Sequence, residues 1–293
     1  MKRYGFSTFR GLKTALRIIT SDKSSLFGFI VVMGYILMAI VGPFFVTLDL
    51  VGKSKRYLPP SLQHPFGTDY LGRDIFAQIV YGAKDVLVIS FVAAIFTVAI
   101  SVALGTTAGM TGGHVDAVLT FITDIMLTIP GFPLLIVIAA TVLRGSQNLL
   151  ILGLALAFTQ WATPARSIRA QVLSLKQRDY VEASRCIGFS NLRIMIYDIF
   201  PVLMPYIAVN LLLVMLGAVY SLVGLALIGA IPWSEVNWGI MINIAVNYAG
   251  SLSYPPALPY LIAPLVAIAF LQIGIITFSH SIEVVFNPRL REL

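Results

Sequence analysis

Long runs without a charged residue decide what this chain can fold into. Ser24–Leu48, Val86–Gly113, Gly145–Ala165 and Ile199–Ser234 contain no Asp, Glu, Lys or Arg. Each meets or exceeds the roughly 20 residues that a helix needs to cross hydrocarbon. Ala117–Leu143 is interrupted by Asp124 alone, and Leu258–Phe278 is uncharged throughout. Together these runs predict six transmembrane helices. They are continuously apolar instead of alternating, which argues against a membrane β-barrel. Charged residues make up 11% of the chain, against roughly 25% in soluble domains, and mean hydropathy is +0.90. The expected fold class is all-α and integral to a membrane.

Basic residues set the expected orientation. Lys2, Arg3, Arg10, Lys13, Arg17 and Lys23 precede the first run, and Arg166, Arg169, Lys176, Arg178, Arg185 and Arg193 lie between the fourth and fifth. Arg289 and Arg291 close the tail. With six spans these three segments share one side, which the positive-inside rule makes cytoplasmic, both termini included. The opposite side holds Lys53, Lys55, Arg56, Arg73, Lys84 and Arg144. The net charge of +7 is thus topological and implies the lipid bilayer, not nucleic acid, as partner. The first apolar run is too long for the roughly 7–15-residue core of a cleaved signal peptide. Residues 1–23 place Phe9, Leu12, Leu16 and Ile19 at helical spacing among Arg10, Lys13 and Arg17. That pattern predicts a short basic amphipathic helix on the inner leaflet. Residues 24–293 then form the transmembrane domain.

An external loop, 49–84, centres on His64-Pro65-Phe66-Gly67-Thr68-Asp69-Tyr70-Leu71-Gly72-Arg73-Asp74. Pro65 and Gly67 mark a turn. Asp69, Arg73 and Asp74 can form a charge network or cap a short helix from Leu71 toward Ile79. One His with two carboxylates lacks diagnostic metal spacing, so no metal site is expected. The single Cys186 excludes an intramolecular disulfide and reads as a small packing residue. No G-x-x-x-x-G-K-[ST] pattern occurs, so no nucleotide site of that type is present. The third run is broken by Pro130-Gly131-Phe132-Pro133; such interruptions either line a translocation path or kink a packed helix. Asp124 should face protein or water, and an interfacial place near the cytoplasm is expected. Trp238–Tyr248 is apolar but too short to span, and its Trp, Asn and Tyr predict an external interfacial helix.

Between the fourth and fifth runs lies the most elaborate polar segment, 166–198. Gln171–Ile187 has neither Gly nor Pro and reads as a helix. Gly188 suits a left-handed helix end, Ser190 can cap a second helix, and Phe189 can staple onto Ile194. Pro201 can open the fifth span. Small Ala183 and Ser184 beside Glu182 let another surface approach; the alternative is a solvated basic loop with Glu182 paired to Arg178 or Arg185.

Glu182, Ala183, Gly188 and Pro201 match, in identity and spacing, the E-A-A loop of ABC-importer permeases. Ser184, Asp198 and Phe200 depart from that pattern. The outer H-P-x-G-T-D-x-x-G-R-D stretch, Gly112-Gly113, Asp116, the Pro130-Gly131 break, Ala165-Arg166, Asp179–Ala183 and Asn287–Arg291 resemble the C-type subunits of dipeptide and oligopeptide permeases. The resemblance implies a type I importer-like bundle with cytoplasmic coupling helices. Tyr180, Glu182, Ala183, Ser184, Arg185 and Gly188 would couple to the ATPase, and Pro130, Gly131 and Pro133 would belong to the pathway. The external motif would comprise His64, Gly67, Asp69, Gly72, Arg73 and Asp74. The resemblance further implies a second, homologous permease subunit, two ABC ATPases carrying ATP and Mg, and an extracytoplasmic substrate-binding protein at a prokaryotic inner membrane. No cofactor or catalytic residue is expected on this chain. Leu222–Gly229 departs from the acidic residue and Gly-Leu-Ser-Phe-Leu-Gly usual there. The resemblance implies peptides as cargo, and that departure admits oligosaccharides or nickel as alternatives within the same importer type. Rivals of another kind are an ion-gradient-driven secondary transporter, an intramembrane hydrolase and an ATP-independent scaffold.

Overall fold

The computed structural model describes residues 20, 22–49, 51–142, 148–230 and 236–286. The expected amphipathic helix of segment 1–23 and the Asn287–Arg291 stretch lie outside the described residues, apart from Thr20, Asp22 and Lys23. Asp22 caps the first span: its side chain accepts the Ser25 N–H at 2.8 Å, and α1 runs Lys23–Phe45. Helix α2, Ile75–Thr111, begins at Asp74, whose carboxylate accepts the Ala77 N–H at 3.2 Å. The expected short helix from Leu71 and the second span are thus one helix of 37 residues.

The third run is a broken helix. Segments α3, Gly113–Thr128, and α4, Gly131–Thr141, meet at 84°. Ile129 is extended because a following proline disfavours helical backbone. Pro133 would also clash with the Ile129 carbonyl if the helix continued.

The fourth run differs from the expected single span. It divides at Trp161 into α5, Leu149–Gln160, and α6, Ala162–Leu175. Pro164, in the first turn of α6, cannot donate to the Gln160 carbonyl four residues earlier, which ends α5 there. The Trp161 carbonyl accepts from Ser101 Oγ at 2.7 Å, so the break is satisfied within the protein, as membrane depth requires. Among the described residues four helices are long and apolar enough to cross a membrane, or five counting the bent pair. The expected six spans are met only if α5 and α6 together count as the sixth.

Beyond α6 come α7, Asp179–Cys186, and α8, Asn191–Ile194, which passes through a π-turn, Met195–Ile199, into α9, Phe200–Leu227. Helix α10 is Trp238–Asn247 and α11 is Leu258–Phe286. The π-turn leads into the fifth span just before Pro201, so α8 and α9 form one continuous apolar helix.

Helix α2 is the axis of the bundle and packs on α1, α5, α6 and α9. Against α6 the approach depends on Gly105 and Gly109. A Cβ on Gly105 would meet the Ala165 carbonyl at 2.6 Å, and one on Gly109 would meet Val172 Cβ at 2.7 Å. Small residues four apart let two helices close without a hydrophobic driving force, which lipid does not supply.

Helix α10 is not the exposed interfacial helix expected. Trp238 through Ala245 are buried. Trp238 donates to the Ile79 carbonyl at 3.0 Å and lies over Gly82, while Asn243 donates to the Ala226 and Leu227 carbonyls that end α9. Trp238 and Asn243 therefore satisfy protein carbonyls instead of headgroups; Val246, Asn247 and Tyr248, at the end, are exposed.

Candidate functional site

The hairpin after α6 is locally encoded with high specificity. The expected continuous helix Gln171–Ile187 is instead two: α6 stops at Leu175, Arg178 is extended, and α7 starts at Asp179. Lys176 explains the stop, because its ammonium reaches the Gly109 carbonyl at the end of α2, 2.9 Å away. That contact places a cation on a helix C-terminus. The C-terminus of α7 is a full Schellman motif. Gly188 adopts φ +87°, its N–H bonds the Arg185 carbonyl at 2.8 Å, and the Phe189 N–H bonds the Ser184 carbonyl at 3.2 Å. Ser190 then accepts from the Arg193 N–H at 3.4 Å. Phe189 packs beside Ile194 as the staple requires, and the Arg193 guanidinium sits 3.8 Å over its ring.

One buried residue fastens this turn to the bundle. Val181 is fully buried with Ile168 and Val172 of α6, Ile194 of α8, Ile199 of the π-turn and Leu203 of α9. Burial of one such side chain contributes about 1.5–3 kcal/mol, which holds α7 against α6, α8 and α9. Around that anchor, Glu182, Ala183, Arg185 and Cys186 are exposed and Ser184 is partly so. No ion pair to Glu182 occurs among the described residues, so pairing with Arg178 or Arg185 does not use its carboxylate. Burial pushes the Tyr180 phenol above its ordinary pKa, although the ring is 44% exposed. Sequence reasoning missed Ile187, Leu192 and Tyr197, which stand out from the hairpin about 70% exposed. The signal of Ile187 was apolar character in a polar turn, whereas Leu192 and Tyr197 belong to the long apolar helix that leads into α9.

Two arginines tie the same end of the bundle together. Arg169 grips Asp116 through two bonds of 2.5 and 2.7 Å, and Arg166 pairs with Asp124. Asp124 therefore has a named partner in protein. The spacing held the signal: two acids eight residues apart on α3 face two arginines three apart on α6. These pairs border a cavity of about 230 Å³ between α2, α3 and α6.

The loop 49–84 forms a compact knot. Asp69 is fully buried and accepts the Leu71 and Arg73 N–H groups at 2.9 Å, Arg73 Nε at 2.7 Å and Gln78 Nε2 at 3.0 Å. His64 bridges Ser54 at 3.0 Å and Asp74 at 2.9 Å. Gly67 and Gly72 both adopt positive φ, and a Cβ on either would strike a carbonyl, Leu58 or Ser54, within 2.3 Å. All six motif residues thus converge on one structure at the start of α2. Among the described residues no group of three His, Cys, Asp or Glu could hold a metal. At the α3–α4 break, Pro130, Gly131 and Pro133 are exposed, and Phe132 lies against Gly224, in the Leu222–Gly229 segment.

A bent, multi-span helical bundle with a fastened polar hairpin at one end is the architecture of an integral membrane protein. The chain belongs to the family described as binding-protein-dependent transport system inner membrane component, whose profile matches residues 101–292. It is 34% identical over 232 residues to the dipeptide transport system permease protein DppC of Bacillus subtilis, covering 78% of this chain and 72% of that one. It is 31% identical over 286 residues to the oligopeptide permease protein OppC of the same organism, covering 96% and 90%. The nickel permease protein NikC of Escherichia coli is 29% identical over 215 residues, covering 72% and 76%. In fold, the chain resembles a chain of the inward-facing MetNI methionine ABC transporter, with a TM-score of 0.55 at 18% identity, covering 70% of this chain and 96% of the other.

Proposed function

We propose that this chain forms half of the translocation pathway of an ATP-driven peptide importer, with both termini cytoplasmic and loop 49–84 outside. A second permease subunit completes the pathway. Two ATPases, which carry ATP and Mg, dock on the 166–198 hairpins, and an extracytoplasmic binding protein delivers cargo. The observation that carries this reading is the hairpin itself. Glu182 and the exposed Tyr180, Ile187, Leu192 and Tyr197 present a polar and apolar surface on a turn that Val181 locks to α6 and α9. A force applied to α7 reaches both spans as a rigid-body movement. Peptide cargo is supported by the dipeptide and oligopeptide permease relatives; the nickel relative makes metal cargo the competing assignment.

Affinity purification of the tagged chain from native membranes tests the assembly. A second permease and Walker-motif ATPases are expected to accompany it. A stable solitary chain would contradict the reading and favour ion-gradient transport.

A further inference from the structure

Gln160 ends the 12-residue α5 at the Trp161 break inside the fourth apolar run, after about 18 Å of helix against the roughly 30 Å of a hydrocarbon core. Its Nε2 donates to Ser221 Oγ of α9 at 3.3 Å. The second N–H and the carbonyl oxygen bond nothing among the described residues, and the side chain is half-buried. An amide with open positions is costly against lipid and belongs beside water or a polar guest.

The surroundings identify which. Tyr206, Asn210, Gly217, Ser221 and Gly224 recur on one line of α9, opposite buried Val219, Leu222 and Ala226. Gly217 leaves Gln160 Oε1 room, with a built Cβ 3.5 Å away. A Cβ built on Gly131 of the α3–α4 break would lie 3.7 Å from the Thr159 carbonyl. The unwound backbone, the end of α5 and the polar line of α9 therefore converge, and no Asp, Glu, His, Lys or Arg is among these residues.

We propose that Gln160, positioned by Ser221, is a specificity-determining residue of the pathway: its neutral amide pairs with the backbone amides of a peptide in transit. A carboxamide donates and accepts, so it matches backbone N–H and C=O without selecting a side-chain charge. This deepens the peptide reading above and rests on it.

The test uses the intact complex in proteoliposomes with trialanine and its analogues carrying a central lysine or glutamate. Gln160→Glu is expected to favour the lysine over the glutamate peptide by about tenfold relative to wild type, the equivalent of one charge-assisted hydrogen bond. Ser221→Ala leaves the amide but frees it, and is expected to raise KM for trialanine more than it lowers the maximal import rate. Loss of all three peptides in parallel, or unchanged ranking and KM, would mean a structural role and overturn the proposal. A wild-type complex that imports none of the three removes the peptide assignment itself, so the two failures separate.

Discussion

At the scale of single residues, Gly188 and Asp69 do opposite kinds of work. Gly188 holds φ +87° with nothing within 4 Å of a built Cβ, so a side chain there has room but not the conformation. A left-handed backbone costs an ordinary L-residue roughly 1–2 kcal/mol and a β-branched one more. Gly188→Val is therefore expected to leave the complex assembled, disturb the Schellman turn and reduce peptide imported per ATP hydrolysed. A wild-type ratio in proteoliposomes would remove the coupling role of this turn. Asp69, by contrast, is a structural node. Removing its charge leaves the Arg73 guanidinium, 11% exposed, without its partner, and breaking such a pair costs about 3–5 kcal/mol. Asp69→Asn is expected to open loop 49–84 to limited proteolysis while α2 to α11 remain folded. Unchanged protection would contradict the knot.

At the scale of elements, the α2–α6 contact and the α3–α6 ion pairs hold the coupling end together. Gly109→Leu would drive a side chain into Val172 and is expected to cost about 1–3 kcal/mol, read as a lower melting temperature of the complex. Arg169 holds the Asp116 carboxyl below its ordinary pKa by hydrogen bonding to it. A depressed folded-state pKa gives stability above the unfolded value, about 3.9, that is lost as pH falls through the folded one. Melting temperature is thus expected to drop below about pH 4, and Asp116→Asn to lower it at pH 7 while flattening that acid limb. An unaltered acid limb in the variant would show that the pair contributes nothing. The elements also divide by how legible they were. The α7–α8 turn was readable because Gly188, Phe189, Ser190 and Ile194 lie within seven residues and their interactions are local. Helix α10 was misread because Trp, Asn and Tyr around a short apolar run have the same composition at a headgroup surface as in a buried slot. The Gly82 notch and the Ile79 carbonyl that receive Trp238 are more than 150 residues away. The division at Trp161 hid behind an uncharged run, since hydropathy does not register the clash of Pro164 with the carbonyl four residues back.

At the scale of the whole molecule, the central claim is mechanical: an ATPase grips the hairpin, and Val181 carries that grip into the spans beside the broken helix. The chain's single cysteine is placed to test this. Cys186 is exposed at the end of α7, two residues before Gly188. The measurement is thiol-directed crosslinking through native Cys186 in intact membranes, with Cys186→Ser as control and mass spectrometry of the adduct. The expected result is a Cys186-dependent adduct to a separate protein carrying G-x-x-x-x-G-K-[ST], lost in the control. Labelling of Cys186 with no ATPase adduct, in membranes where the ATPase is present, would contradict the coupling role of the hairpin.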